Sequence, residues 1–263
     1  HTRFRNVTGV QTCALPIYFV LAHPSADPQA LITALVRGSF EYQGQKCSAS
    51  SRAYIPQSLW TVIQTELIEQ VESIKMGDVS DFTNFMGAVI DAPSFASHKA
   101  AIEQARQTNG TRILAGGTCD DRQGYFVRPT LILTDNPKYS TMCTELFGPI
   151  LTIYVYPDAQ WKEMFSIVDQ STHYALTGAV FAQDRSALEE ATQGLRYSAG
   201  NFYLNDKPTG AMVGQQPFGG ARASGTNDKG GSMLNLLRWI SPRTIKENLR
   251  PPTNYRYPYM GKD

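Results

Sequence analysis

One cysteine in this chain stands where a covalent nucleophile would be useful. Cys47 lies in Phe40-Glu-Tyr-Gln-Gly-Gln-Lys-Cys-Ser-Ala-Ser-Ser-Arg-Ala-Tyr54, at a glycine-marked break between a helical pattern and a strand-like one. Gly44 and the small residues Ser48 and Ala49 flank it, so a carbonyl compound meets no bulky neighbour on approach. Backbone N–H groups around the thiol can face the same point and hold a developing oxyanion. The reactive form is the thiolate, and an ordinary thiol pKa of about 8.5 must be lowered or met by a base. The competing reading is a small buried hydrophobe, the commonest fate of a cysteine outside a disulfide.

The elements around Cys47 follow from periodicity. Tyr18-Phe-Val-Leu-Ala predicts a short buried strand, and Ser25-Ala-Asp-Pro caps a helix with Leu31, Ile32, Leu35, Val36 and Phe40 on one face, ending at Gly44. Arg52-Ala-Tyr-Ile predicts the next strand, closed by Pro56. After Ser58 comes an amphipathic helix carrying Trp60, Ile63, Leu67, Val71 and Ile74, stopped before Gly77. Further expectations are a helix over 94–107, strands at 112–114, 126–133 and 150–156, and a helix over 159–170. A strand at 176–182, a helix over 185–196, a strand at 201–205 and a short helix over 234–239 complete the pattern. Strands separated by helical patterns argue for an α/β fold, a mostly parallel sheet with helices on both faces. The glycine-bearing run 206–228 is too long for a simple connection and reads as a functional loop.

Composition removes several function classes. The 263 residues carry 24 Lys plus Arg against 23 Asp plus Glu, with no basic run to follow a phosphate backbone, so nucleic acid is not an expected partner. Cys13, Cys47, Cys119 and Cys143 form no C-x-x-C pair and have no histidine at zinc-ligand spacing. No metal site or disulfide framework is expected, and a reducing compartment fits. No stretch of eighteen apolar residues and no charged-then-apolar opening occurs, so neither a membrane span nor a secretory signal is expected. Residues 1–17 lack any periodicity, and their VTGVQTCALPI string resembles translated adapter sequence. They are expected to be a non-native leader, with Cys13 accidental. The rest divides into a domain at 18–228 and a C-terminal segment at 229–263.

Three strings in order go beyond periodicity: GQKCSASSRAY at 44–54, ELFGPILTIYVY at 145–156, and GNFYLNDKPTG at 200–210 followed by QQPFGGARASGTND at 215–228. Together they resemble the aldehyde dehydrogenase superfamily, and within it the Δ1-pyrroline-5-carboxylate (L-glutamate γ-semialdehyde) dehydrogenase branch. The resemblance runs from about Tyr18 to Met260. It implies that 18–228 is the catalytic domain and that Cys47 is the nucleophile, forming a thiohemiacetal and then a thioester that water hydrolyses to glutamate. It implies NAD as cofactor, with Glu145 bonding the nicotinamide ribose and Phe147 packing beside the ring. Ser48 and the backbone of Gly210 and Ala211 would anchor the substrate's carboxylate, and Phe218 would line its aliphatic part. Many relatives carry serine where this chain has Ala211, a loss on the order of 1 kcal/mol at the anchor.

The resemblance also implies parts that these residues do not include: a dinucleotide-binding domain, a glutamate base from an ELGGK-type motif and an oxyanion asparagine. The expectation is a catalytic-domain fragment that is inactive alone. The family associates through terminal strands, which fits Thr244 to Glu247 and a homodimer or larger oligomer. Location would be cytoplasmic in a bacterium or the mitochondrial matrix in a eukaryote. Plainer readings remain for each residue. Glu145 could be a solvated residue, Phe147 and Phe218 core aromatics, Ser48 a backbone cap and the glycine loop a turn, with Cys119 and Cys143 buried thiols. Two rival functions stay open: a thiol hydrolase using His23, His98 or His173, and a catalytically silent binding protein.

Overall fold

The computed structural model describes residues 18–212 and 214–261. The expected leader 1–17, with Cys13, lies outside the described residues. In chain order the elements are β1 (Tyr18–Ala22), α1 (Pro28–Phe40), β2 (Ser50–Pro56), α2 (Gln57–Glu72), α3 (Ala92–Gln107), β3 (Thr111–Ala115), β4 (Cys119–Asp120) and β5 (Phe126–Val127). They continue as β6 (Thr130–Thr134), α4 (Ser140–Cys143), β7 (Ile150–Tyr156), α5 (Trp161–Gln170), β8 (Tyr174–Ala175), β9 (Thr177–Phe181), α6 (Arg185–Gly194), β10 (Asn201–Leu204), β11 (Ala221–Arg222) and α7 (Met233–Leu236).

A seven-stranded sheet in the order β10-β9-β1-β2-β7-β6-β3 carries the fold. Every pairing is parallel except β3 against β6. One face is covered by α1 and α2 through Leu31, Leu35, Ile63 and Leu67. The other is covered by α3, α5 and α6 through Ile102, Met164 and Leu188. With both faces buried, β1 and most of β2 and β7 can be apolar throughout, each large side chain contributing about 2 kcal/mol. Aspartates start the helices: Asp27, Asp91 and Asp184 accept from the N–H of Ala30, Ser94 and Ser186, each at 2.8 Å.

Four expectations change in detail. The first helix stops at Phe40, and Glu41–Gly44 forms a 3₁₀ turn instead of a last helical turn. The second stops at Glu72, well before Gly77. The strand expected over 126–133 is two pieces, β5 and β6, because Pro129 between them offers no N–H to a ladder. Finally, Thr244 to Glu247 belongs to no strand, and everything from 236 to 261 is exposed. A strand without a neighbour has nothing to bond, so the expected oligomerisation strand is not a strand within the single chain.

Candidate active site

The sheet brings two of the three sequence strings to one edge. In the parallel pair β2–β7, Arg52 stands opposite Thr152. Five residues back along each strand lie Cys47 and Phe147, so the turns before both strands meet at the sheet's amino-terminal edge. They touch at glycines. A Cβ on Gly44 would fall 2.5 Å from the Gly148 carbonyl oxygen and 2.6 Å from that of Ser39, and Gly44 is also left-handed at φ +65. Only glycine meets both demands.

Cys47 sits in a turn closed by the Ala49 N–H donating to the Lys46 carbonyl at 3.1 Å, and its side chain is half-buried. The approach to this turn is strained: Tyr42 and Gln43, neither a glycine, hold φ +56 and +59 immediately before Gly44. Such backbone persists only where the surroundings over-determine it. Here the Gln43 side chain reaches the backbone at 87–88, and the Gln45 side-chain Oε1 accepts from the Ile90 N–H at 2.9 Å. Glu41 adds a third tie, with both carboxylate oxygens 2.8 Å from Lys207 Nζ and one of them 2.8 Å from Lys46 Nζ. Burial alone would raise the Glu41 pKa, but the two ammonium groups outweigh it and hold the carboxyl below its ordinary range.

Ser48 is buried, and its hydroxyl lies 2.7 Å from that of Thr209, also buried. That bond spans 161 positions in sequence and brings Gly210 and Ala211 to the Cys47 turn. Gly210 is left-handed at φ +86 and open to solvent. Phe218 is half-buried and tied elsewhere: its N–H donates to the Gly230 carbonyl at 2.9 Å. The Asn201 amide brackets its neighbours, donating to Pro217 O and accepting from Gly219 N–H, both at 3.0 Å. Lys229 closes that part of the loop by donating to Gly219 O and Asn201 Oδ1, at 3.2 and 3.3 Å.

Glu145 and Phe147 share the other turn. The Phe147 N–H donates to Glu145 Oε1 at 2.7 Å, and Phe147 holds φ +56 and is 37% exposed as a residue. A bulky residue in that conformation costs of order 1 kcal/mol, and the ring gains little burial in return. Removal from water pushes the Glu145 carboxyl up to about 7, while the N–H groups of Phe147 and Leu146 and the nearby Arg52 charge pull the other way. Its folded pKa is thus raised above the ordinary carboxylate value. This group's stabilising contribution is present at low pH and is lost as pH rises through about 7. The ionised form is held at a cost that a hydroxyl-bearing ligand could relieve.

Beneath this turn lies His98, fully buried and neutral near pH 7 because burial lowers its pKa. A Cβ on Gly148 would fall 1.8 Å from its Nε2. Gly148→Ala is therefore expected to destabilise the fold by about 2–3 kcal/mol in denaturant unfolding. Adding His98→Ala should recover part of that loss, so the double variant costs less than the sum of the two. Additive costs would show that the two residues do not meet.

None of the described histidine contacts makes a thiol–imidazole pair. His23 bonds Ser25 at 2.9 Å and packs against Trp161, and His98 faces Gly148. The backbone of His173 accepts from Ala223. Burial raises the Cys119 thiol, as expected for an inert cysteine. Among the described residues no cluster of His, Cys, Asp and Glu is arranged for a metal ion, and no helix is long and apolar enough to cross a membrane. Sequence reasoning missed Glu41, Lys207, Thr209 and Arg52 at this site, and raised His98 only as a base for a thiol hydrolase, not as packing beneath Gly148. Only Lys46, next to the cysteine and five residues after Glu41, gave a local signal.

Residues 19–245 match the Aldehyde dehydrogenase family. The chain belongs to that family. Family relatives include the mitochondrial Δ1-pyrroline-5-carboxylate dehydrogenases of Dictyostelium discoideum, 55% identical over 242 residues, and of Homo sapiens, 53% identical over 243. Each alignment covers 92% of this chain and 43% of the relative, so the chain spans less than half the length of the curated relatives it matches. The crystal structure of the Mycobacterium tuberculosis Δ1-pyrroline-5-carboxylate dehydrogenase superposes with a TM-score of 0.83 at 50% identity, over 95% of this chain and 45% of that one. A second structure of that enzyme, with NAD bound, gives 0.82. The α/β architecture is thus the family's own fold.

Proposed function

We propose that this segment is the catalytic part of an NAD-dependent Δ1-pyrroline-5-carboxylate dehydrogenase, which oxidises L-glutamate γ-semialdehyde to L-glutamate. The observation that carries the reading is the Ser48–Thr209 bond, which ties the residue after Cys47 to the residue before Gly210 and so supports an anchor of hydroxyl and backbone donors near the thiol. The relatives' names point to the same substrate.

In this reading the Cys47 thiolate attacks the aldehyde carbon, and backbone N–H groups of its turn hold the oxyanion. Ser48, Gly210 and Ala211 grip the α-carboxylate, and Phe218 lines the aliphatic chain. This grip turns attack into a positioned, effectively intramolecular step. NAD, when bound, supplies the hydride acceptor. Glu145 and Phe147 suit it: a half-buried carboxyl at a solvent-facing turn can accept from ribose hydroxyls, and a strained, exposed ring can pack along the nicotinamide. Water then cleaves the Cys47 thioester to release glutamate. The base for that step and the oxyanion asparagine are assigned to a dinucleotide-binding part outside this segment, which alone would lack turnover. Thr244 to Glu247 would pair with a second copy. The site of action would be the mitochondrial matrix in a eukaryotic source and the cytoplasm in a bacterial one.

The test is NAD-dependent oxidation of glutamate semialdehyde by the full-length polypeptide that contains this segment, followed by its pH dependence. Ionised Glu145 is the better acceptor, so NAD affinity should rise as pH increases through about 7, and Glu145→Gln should flatten the rise. Absence of semialdehyde oxidation by the full-length protein would overturn the assignment.

A further inference from the structure

Lys207 has a place in the site that the anchor described above does not use. Its ammonium and Cε each lie 3.8 Å from where a Cβ on Gly210 would stand, so the charge borders the backbone assigned to the substrate's carboxylate. The same ammonium is held 2.8 Å from both Glu41 oxygens, and Glu41 is bonded to Lys46, the residue before the nucleophile. The three side chains are only a quarter to a third exposed, so solvent screens them less than it would a surface pair. Two ammonium groups against one carboxylate leave the cluster with a single net positive charge. Asp206, the preceding residue, turns its Oδ1 to the Lys207 backbone N–H at 2.8 Å and is exposed, so water damps its opposing field.

We propose that Lys207 is a specificity-determining residue: the net positive cluster of Lys46, Glu41 and Lys207 selects aldehydes that carry a carboxylate, by drawing that group onto the backbone of Gly210 and Ala211. The inference rests on the proposed function and adds a charge criterion to it. Backbone and hydroxyl donors can orient a carboxylate, but they discriminate less against a neutral chain than a full charge a few ångströms away does. Glu41 acts as the moderator, holding both ammonium groups in place and cancelling one of them.

The experiment compares glutamate semialdehyde with pentanal, a neutral straight-chain aldehyde, in the full-length protein. The ratio of their kcat/KM values should fall about tenfold in Lys207→Met, mostly through KM for the semialdehyde, and return in Lys207→Arg. Glu41→Gln raises the net charge and should raise the ratio about twofold. A purely structural clamp predicts the opposite: both variants would slow the two substrates alike and leave the ratio unchanged, which overturns the inference. A second readout needs no turnover. Alkylation of Cys47 by anionic iodoacetate, relative to neutral iodoacetamide, should fall severalfold in Lys207→Met and converge with wild type at high salt. A ratio unaltered by the variant also overturns it. If the wild type oxidises pentanal but not the semialdehyde, the proposed function fails and this inference with it. Oxidation of the semialdehyde with an unresponsive ratio sinks this inference alone.

Discussion

In the full-length polypeptide that contains this segment, replacing Cys47 by serine is expected to lower kcat/KM for glutamate semialdehyde by roughly a thousandfold or more, with little change in melting temperature. The two effects separate because they come from different links in the chain from sequence to function. Serine nearly matches cysteine in volume, and Cys47 is half-buried in a turn held by backbone and by its neighbours' side chains, so packing changes by about 1 kcal/mol or less. Chemistry changes far more. A serine hydroxyl needs a base in hydrogen-bond reach, whereas a thiol is partly ionised near neutral pH. The chain supplies its own control, because Cys119→Ser should leave the rate within about twofold. Steady-state kinetics and thermal unfolding on the same samples test both halves. A serine variant within tenfold of wild type would remove Cys47 as the nucleophile.

The sequence made the scaffold legible because local rules and burial agree there. Strands buried on both faces read as apolar runs, helices as stripes, and Ser25-Ala-Asp-Pro as the cap of the first helix, whereas the Asp91 and Asp184 caps emerge from the structure. The place of Cys47 between a helix end and a strand start was readable for the same reason, since a glycine-marked break between two periodicities is a local signal. What escaped is non-local. The Glu41–Lys207 bond joins residues 166 positions apart, and nothing near either residue announces the other. Phe147 is a second case: a phenylalanine in the left-handed region contradicts propensity, and only the backbone reveals it. Position in the sheet is a third. Parallel sheets commonly bind ligands outside their carboxyl ends, yet Cys47 and Glu145 both lie before their strands, at the amino edge. The C-terminal run at 236–261 is a fourth case: it is exposed throughout, including Leu236, Trp239, Ile240, Ile245 and Leu249, where its sequence suggests a terminal strand.

Arg52→Ala is expected to cost about 3–5 kcal/mol of stability and to weaken NAD binding at neutral pH, whereas Arg52→Met should separate the two losses. Arg52 is the largest fully buried side chain, standing in the middle of the core strand β2. Its Nη1 donates to the Met142 carbonyl in α4 at 3.2 Å, and its guanidinium lies 5.8 Å from the Tyr54 ring centre and 6.0 Å from that of Phe19. Among the described residues its Nε has no hydrogen-bond partner. A buried charge so thinly compensated contributes little net stability, and an apolar residue of similar length can replace it at small cost. Alanine instead leaves a cavity the size of the lost side chain. Methionine should therefore stay within about 1.5 kcal/mol of wild type. Both variants remove the positive charge that favours ionised Glu145, already raised to about 7, so its pKa should climb further. The rise of NAD affinity with pH then moves to higher pH in both variants, and the deficit at neutral pH disappears in alkaline buffer. Denaturant unfolding and NAD titration across pH decide the matter. If Arg52→Met loses as much stability as the alanine variant and leaves the pH profile in place, Arg52 is a packing element and Glu145 is tuned by burial alone. If stability holds and the profile shifts, an arginine with little net effect on stability is retained because it sets the charge of a residue in the turn before the adjacent strand.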